Sequence, residues 1–205
     1  MTIFILRHGQ TEFNRLGVVQ GSGVDSDLNE TGRGQARAFY EYYQDIDFQM
    51  VVTSKLRRTH QTAAHFIDSG IRWHQDADIN EISWGDHEGL STTPERMEVY
   101  EAVVAAWQSD DLDANLPNGE TARQLGARLE RFIEWLRTRP ADRLLVCTHG
   151  RTMRALITLL KGMPLKKMEG TPHYNTGCYI VRLEKDHFHF MEENSLRHLP
   201  MEQIS

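Results

Sequence analysis

The sequence predicts an α/β fold: a three-layer sandwich with a mainly parallel central sheet, helices on both faces and a C-terminal antiparallel strand or hairpin. Three observations lead there. First, short apolar runs at residues 3–6, 51–54 and 144–147 each empty into a polar segment, as buried strands do when they reach a loop. Second, segments with apolar residues at helical spacing separate those runs, and an alternating β-α-β-α order points to a parallel sheet covered on both faces. Third, two strand-like runs near the end, 178–183 and 187–191, are joined by a tight connection at Glu184-Lys185-Asp186, which adds an antiparallel pair.

Taken in order, the first strand ends in Arg7-His8-Gly9. Residues 9–30 are polar and contain Gly17, Gly21 and Gly23, so they read as a long ordered loop. Asn29 is placed as the N-cap of a helix over about 30–44, whose apolar positions include Ala36, Phe39, Tyr40 and Tyr43. After the strand at 50–53 comes a helix over about 56–67, ended by Ser69-Gly70. Residues 71–74 read as a short strand, and 81–89 as a second irregular stretch. Pro94 suits the first turn of a helix to Trp107, with Val99, Val103, Val104 and Trp107 on one face. Ala122, Leu125, Leu129, Phe132, Ile133 and Leu136 form the apolar stripe of a helix over about 120–139, stopped by Pro140. The helix at 153–160 is apolar nearly all round, which predicts a sandwiched position.

A chain of 205 residues, 40% hydrophobic and 25% charged, suits one domain with a sizeable core. The expected domain is 1–205, with a short lid-like insertion at about 82–118. The net charge of -6 argues against nucleic acid or an anionic membrane as partner, yet permits an anionic small molecule held by local arginines. Cys147 and Cys178 sit inside apolar runs and read as buried free thiols, which fits a cytoplasmic location. No run is long enough to span a membrane, and the first is too short for a signal peptide.

Chemistry concentrates where the strands end. Arg7-His8-Gly9, Lys55-Leu56-Arg57-Arg58 and Thr148-His149-Gly150 each follow an apolar run. In an open parallel sheet, ligands bind in the crevice beyond the carboxyl ends of the strands. Two histidines and at least two arginines therefore meet in one crevice. Arginine offers permanent planar donors to phosphate oxygens, and neutral histidine is a nucleophile that can carry a phosphoryl group. A departing alkoxide needs a proton, and Glu81 and Glu88 are the competing acids. A strand-borne pair, His187 and His189, finds no third ligand and reads as surface. His60, His65 and His74 read as structural or exposed. Trp84 suits a pocket wall or the core, and Arg151 suits substrate contact or the surface.

Six blocks in order resemble the histidine phosphatase superfamily, which also holds the cofactor-dependent phosphoglycerate mutases. They are Arg7-His8-Gly9-Gln10-Thr11-Glu12-Phe13-Asn14; Leu28-Asn29-Glu30-Thr31-Gly32-Arg33-Gly34; Ser54 to Ala63; Glu81 to Gly89; Pro117-Asn118-Gly119-Glu120-Thr121; and Thr148-His149-Gly150. The resemblance implies His8 as the nucleophile, with Arg7, Arg58 and a protonated His149 clamping the phosphoryl oxygens and Glu81 as proton donor. It selects Arg58 over Arg57. Gln10, Asn14, Gln20, Gly21 and Gly150 are implied as substrate-binding positions, with the helix after Gly150 lending its positive N-terminus. Lys55 and His87 stand where the family usually has proline and tryptophan.

The expected function is a metal-independent phosphatase of small phosphorylated metabolites, such as sugar phosphates, phosphoglycerates or ribazole and nucleoside phosphates. It needs no cofactor and passes through phosphohistidine. The rival readings are a phosphoglycerate mutase and a non-catalytic phosphate-binding module. Family mutases carry a longer insertion where this chain has 82–118, and the short roof here favours water as acceptor. The sequence is compatible with a monomer or a homodimer.

Overall fold

The computed structural model describes residues 1–200; the last five positions of the expected 1–205 domain lie outside the described residues. The strands are β1 (Thr2–Arg7), β2 (Met50–Thr53), β3 (Trp73–Gln75), β4 (Arg143–Thr148), β5 (Cys178–Glu184) and β6 (His187–Ser195). Among the described residues they form one six-stranded sheet in the order β3-β2-β4-β1-β5-β6. β3, β2, β4 and β1 pair in parallel, whereas β5 runs antiparallel to β1 and β6 antiparallel to β5. Arg7 lies level with Thr148, and Thr53 with Cys147. The next residues of those three strands, His8, Ser54 and His149, therefore emerge together at one edge. This matches the predicted fold class.

The helices are α1 (Glu12–Leu16), α2 (Glu30–Tyr43), α3 (Arg57–Asp68), α4 (Pro94–Gln108), α5 (Ala122–Arg137) and α6 (Gly150–Leu160). The two-residue strand period divides the apolar runs between two cores. Ile3, Ile5, Val52, Leu144, Val146, Tyr179 and Val181 pack with Leu125, Leu129, Phe132 and Leu136 of α5 and Met153 and Leu156 of α6. Phe4, Leu6, Val51, Leu145, Cys147 and Cys178 pack with Phe39 and Tyr43 of α2 and Ala63 and Phe66 of α3. Strands buried on both faces must be apolar at successive positions, which is why they read as continuous runs. Both cysteines are free and buried, and burial pushes their thiols far above the ordinary range.

Several elements differ from expectation for identifiable reasons. The loop at 9–30 contains α1, closed by a reciprocal cap: Asn14 N donates to Thr11 Oγ1 (3.1 Å), and Thr11 N donates to Asn14 Oδ1 (3.0 Å). Gly17 ends it with φ 62°. A helix this short leaves no apolar period to read. β3 covers Trp73–Gln75 rather than 71–74, because its register is set by pairing with Val51–Thr53 and not by its own pattern. In α4, Val103 and Trp107 are buried but Val99 is 46% exposed, so only the C-terminal half packs inward. α6 starts at Gly150, where the expected helix N-terminus lies, and is buried almost all round. A 3-10 turn at Leu165–Gly170 carried no sequence signal. Lys185 and Asp186 turn the β5–β6 hairpin with φ of 46° and 67°, the left-handed pair that matches strand twist.

Residues 82–118 hold a 3-10 turn (Gly85–His87), α4 and a return to Leu116. They are anchored to the first core through Trp84, Val103, Trp107 and Leu116, and Trp107 Nε1 donates to Ala114 O (2.8 Å). Val19 N donates to Leu90 O (3.1 Å), which ties this stretch to the loop after α1. No helix among the described residues is long and apolar enough to cross a membrane.

Candidate active site

His8 leaves β1 as a 3% exposed residue held from three sides. Its amide donates to Thr148 O (2.9 Å), its carbonyl accepts from Asn175 Nδ2 (2.9 Å), and the next amide, Gly9 N, donates to Thr62 Oγ1 (3.0 Å). His8 Nδ1 lies 2.7 Å from Gly9 O. A carbonyl can only accept, so Nδ1 carries the hydrogen and Nε2 keeps its lone pair. Burial, then Arg58 and Arg7, hold the imidazolium form well below its ordinary range, against a smaller opposing effect of the Gly9 carbonyl. His8 is therefore neutral with a nucleophilic Nε2, beside His149 at 5.2 Å between ring centroids.

Arg58 is fully buried at the first turn of α3. Its Nη1 donates to Val24 O (2.7 Å) and Nη2 to Gly21 O (3.3 Å), so the loop after α1 holds the guanidinium. Its Nε donates to His149 Nδ1 (3.1 Å). His149 Nδ1 is thus an acceptor, and its Nε2 carries the hydrogen toward Ser54 Oγ at 2.8 Å. Burial, then Arg58, keep the ring well below its ordinary protonation range. This corrects the expectation of a protonated His149: an Nδ1–H would face the donor Nε–H of Arg58.

Arg7 occupies the other side. Nη1 donates to His173 O (2.6 Å), while Nε is buried without a hydrogen-bond partner. Burial lowers its pKa to about 10, which still leaves it charged at neutral pH. Gly150 permits this close approach: a Cβ there would lie 2.9 Å from His173 Cδ2 and 3.3 Å from Arg7 Nε. Behind Arg7, Arg154 Nε donates to His173 Nδ1 (3.2 Å), and burial followed by the charge of Arg7 depresses that imidazole to about 3.

Glu81 is 7% exposed and reaches the start of α6. Oε1 accepts from Ile82 N, Thr152 N and Thr152 Oγ1, each at 3.0 Å, and Oε2 accepts from Arg151 N at 3.1 Å. The N-terminus of α6, expected to face a phosphoryl group, is therefore capped by this carboxylate through its Arg151 and Thr152 amides. Among the described residues Oε2 accepts from Arg151 N alone and keeps a position for a proton. Glu88, the competing acid, accepts from Gly23 N (2.7 Å), Trp84 N (2.8 Å) and Ser83 Oγ (3.2 Å), so it staples two loops together.

The remaining predicted positions divide. Gly21 lies against the site, and a Cβ there would stand 2.7 Å from Ile82 O. Gln20 Nε2 donates to Thr11 Oγ1 (2.7 Å), and the residue lines the neighbouring cavity. Asn14 Oδ1 is engaged in the α1 cap, which leaves Nδ2 as its donor toward any ligand. Gln10 turns toward α2: its Oε1 accepts from Asn29 Nδ2 (2.8 Å) and its amide donates to Gln35 Oε1 (2.9 Å). Sequence reading missed Ser54, Arg154, His173 and Asn175. The only available signal was the recurrence of arginine at 151 and 154, one helical turn apart. Arg151 is not at the surface. It is 6% exposed and contacts Glu169 and Tyr100 with its guanidinium. Trp84 does both jobs weighed for it, being part of the core and of a cavity wall.

Residues 3–195 match the family model described as histidine phosphatase superfamily (branch 1). A 2,3-bisphosphoglycerate-dependent phosphoglycerate mutase of Brucella melitensis is 31% identical over 197 residues, covering 90% of this chain and 93% of that one. The crystal structure of the alpha-ribazole phosphatase from Shigella flexneri superposes with a TM-score of 0.84 at 26% identity, covering 95% and 96% of the two chains. A mycobacterial glucosyl-3-phosphoglycerate phosphatase superposes with a TM-score of 0.82 at 25% identity, covering 95% and 98%. With a family match across nearly its whole length, the chain belongs to the histidine phosphatase superfamily, branch 1, and is an enzyme of the histidine phosphatase type.

Proposed function

We propose that the protein hydrolyses phosphomonoesters of small metabolites through a phosphohistidine on His8. The observation that carries this reading is a neutral His8 with its Nε2 lone pair free for attack, set between the buried charges of Arg7 and Arg58. In the first step Nε2 attacks phosphorus and the bond to the alcohol oxygen breaks. The guanidiniums neutralise charge on the equatorial oxygens, and Arg7 Nε has a donor to spare. The leaving oxygen takes a proton from Glu81 Oε2. In the second step Glu81 accepts a proton from water, whose oxygen attacks phosphorus. The P–N bond breaks, His8 returns to neutral and inorganic phosphate leaves. His149 acts as a positioning residue in this scheme, since it holds Arg58 by its Nε.

Among the described residues no group of three or more His, Cys, Asp or Glu could hold a metal ion, and the two arginines offer the charge that such an ion would supply. Turnover is expected to survive EDTA. The phosphoglycerate mutase named above supports a second reading, in which a second hydroxyl replaces water. The roof at 82–118, one α-helix preceded by a 3-10 turn, favours water. The test is acid-labile, base-stable phosphate on the His8 peptide after quenching during turnover, absent in His8→Ala. Conversion of 3-phosphoglycerate to 2-phosphoglycerate much faster than phosphate release would replace the phosphatase with the mutase.

A further inference from the structure

The cavity beside the reacting groups has a composition that the chemistry above does not use. About 300 Å³ in volume, it is walled by Trp84, Tyr100, Met97, Leu116 and Val19, with Gln20 on one side; Arg96 and His87 add basic groups, and no acidic side chain lines it. Its two sides descend from the catalytic machinery. Gln20 precedes Gly21, whose carbonyl holds Arg58, and Trp84 follows closely on Glu81. Gly21 and Ile82 pack against each other between those two sides, since a Cβ on Gly21 would stand 2.7 Å from Ile82 O, so the cavity adjoins the segments that hold Arg58 and carry Glu81.

The aromatic wall is backed by the ion pair of Arg151 with Glu169. The Arg151 guanidinium lies 5.7 Å from the Trp84 ring centroid and 5.9 Å from that of Tyr100, and it does not line the cavity. Aromatic rings prefer offset-stacked or edge-to-face contact with other flat groups, and Trp84 and Tyr100 offer such surfaces to the cavity. The Arg151 amide also donates to Glu81 Oε2, so one residue links the wall to the acid.

Resting on the phosphatase reading, we infer that this cavity is a leaving-group subsite for a planar ring. The substrates it takes are phosphomonoesters of alcohols bearing an aromatic or heteroaromatic ring, in preference to small polyol or hydroxy-acid phosphates. The phosphoryl group sits on His8, Arg7 and Arg58. The ester oxygen meets Glu81, and the ring enters between Trp84, Tyr100 and Met97.

The test compares benzyl phosphate with glycerol 1-phosphate, both esters of primary alcohols that need the acid. The ratio of kcat/KM should favour benzyl phosphate by about tenfold or more, carried mainly in KM. Met97 is 38% exposed, so Met97→Glu is expected to fold while placing a charge against the ring, and it should pull the ratio toward one. The control Met191→Glu, on exposed β6, should leave the ratio where it was. A wild-type ratio near one, with phosphate released from both esters, overturns the inference and leaves the phosphatase standing. A high ratio insensitive to Met97→Glu removes the ring from this cavity. Absence of phosphate release from these and all other phosphomonoesters defeats the phosphatase reading, and the inference with it.

Discussion

Replacing Glu81 with glutamine should cost stability as well as turnover. In the wild type, Ile82 N, Thr152 N and Thr152 Oγ1 donate to Oε1, and Arg151 N donates to Oε2. A carboxamide can keep one oxygen at the Oε1 position. Its NH2 then faces the Arg151 amide, donor against donor, in a site only 7% exposed. Leaving one buried N–H unpaired costs about 1–3 kcal/mol. For a chain of 205 residues each kcal/mol moves the melting temperature by about 2–4 °C, so Glu81→Gln should melt roughly 2–12 °C below wild type. Loss of the proton donor should lower kcat for alkyl phosphates by about 10²–10⁴-fold. The assay pairs thermal melting by circular dichroism with steady-state phosphate release. Glu88→Gln serves as comparison, since it breaks a loop staple without touching the proposed acid. A Glu81→Gln protein that melts with the wild type would refute the capping argument. A larger loss of kcat in Glu88→Gln would move the acid to Glu88.

Two further outcomes follow from the same geometry. Burial holds His8 and His149 well below the ordinary 6.5, His173 at about 3 and His198 at about 4. Below pH 6.5 the unfolded chain binds these protons while the fold refuses them, so stability is full above that pH and falls beneath it. Each such histidine removes about 1.4 kcal/mol per pH unit. Melting temperatures recorded from pH 7.5 to 5 should drop steeply below 6.5, and a flat profile would contradict neutral burial. Gly150→Ala should push Arg7 and His173 apart, because its Cβ would stand 2.9 Å from His173 Cδ2. Vanadate inhibition and kcat/KM should weaken by roughly tenfold or more, and wild-type values for both would remove Gly150 from the phosphate clamp.

The sequence by itself determined the order of the strands and of the longer helices, and the meeting of His8, Arg58 and His149. Strands buried on both faces must be apolar at successive positions, so residues 3–6, 51–52 and 144–147 announced themselves. The parallel sheet then carries whatever follows those strands to one edge. Trp107 and the α5 stripe were legible for the same reason, because burial leaves a periodic mark. Only the tertiary structure decided which polar group meets which. Arg58 and His149 are 91 positions apart, Glu81 and Thr152 are 71 apart, and Arg7 and His173 are 166 apart. A hydrogen bond across such distances imposes no local period, so nothing along the chain marks it. The neutral tautomer of His149, the capping of α6 by Glu81, the engagement of Gln10 with Asn29 and the ion pair behind Trp84 all arise in this way. Residue types and strand ends could name the chemistry of phosphate, whereas the direction of each donor depends on the packing of helices against the sheet.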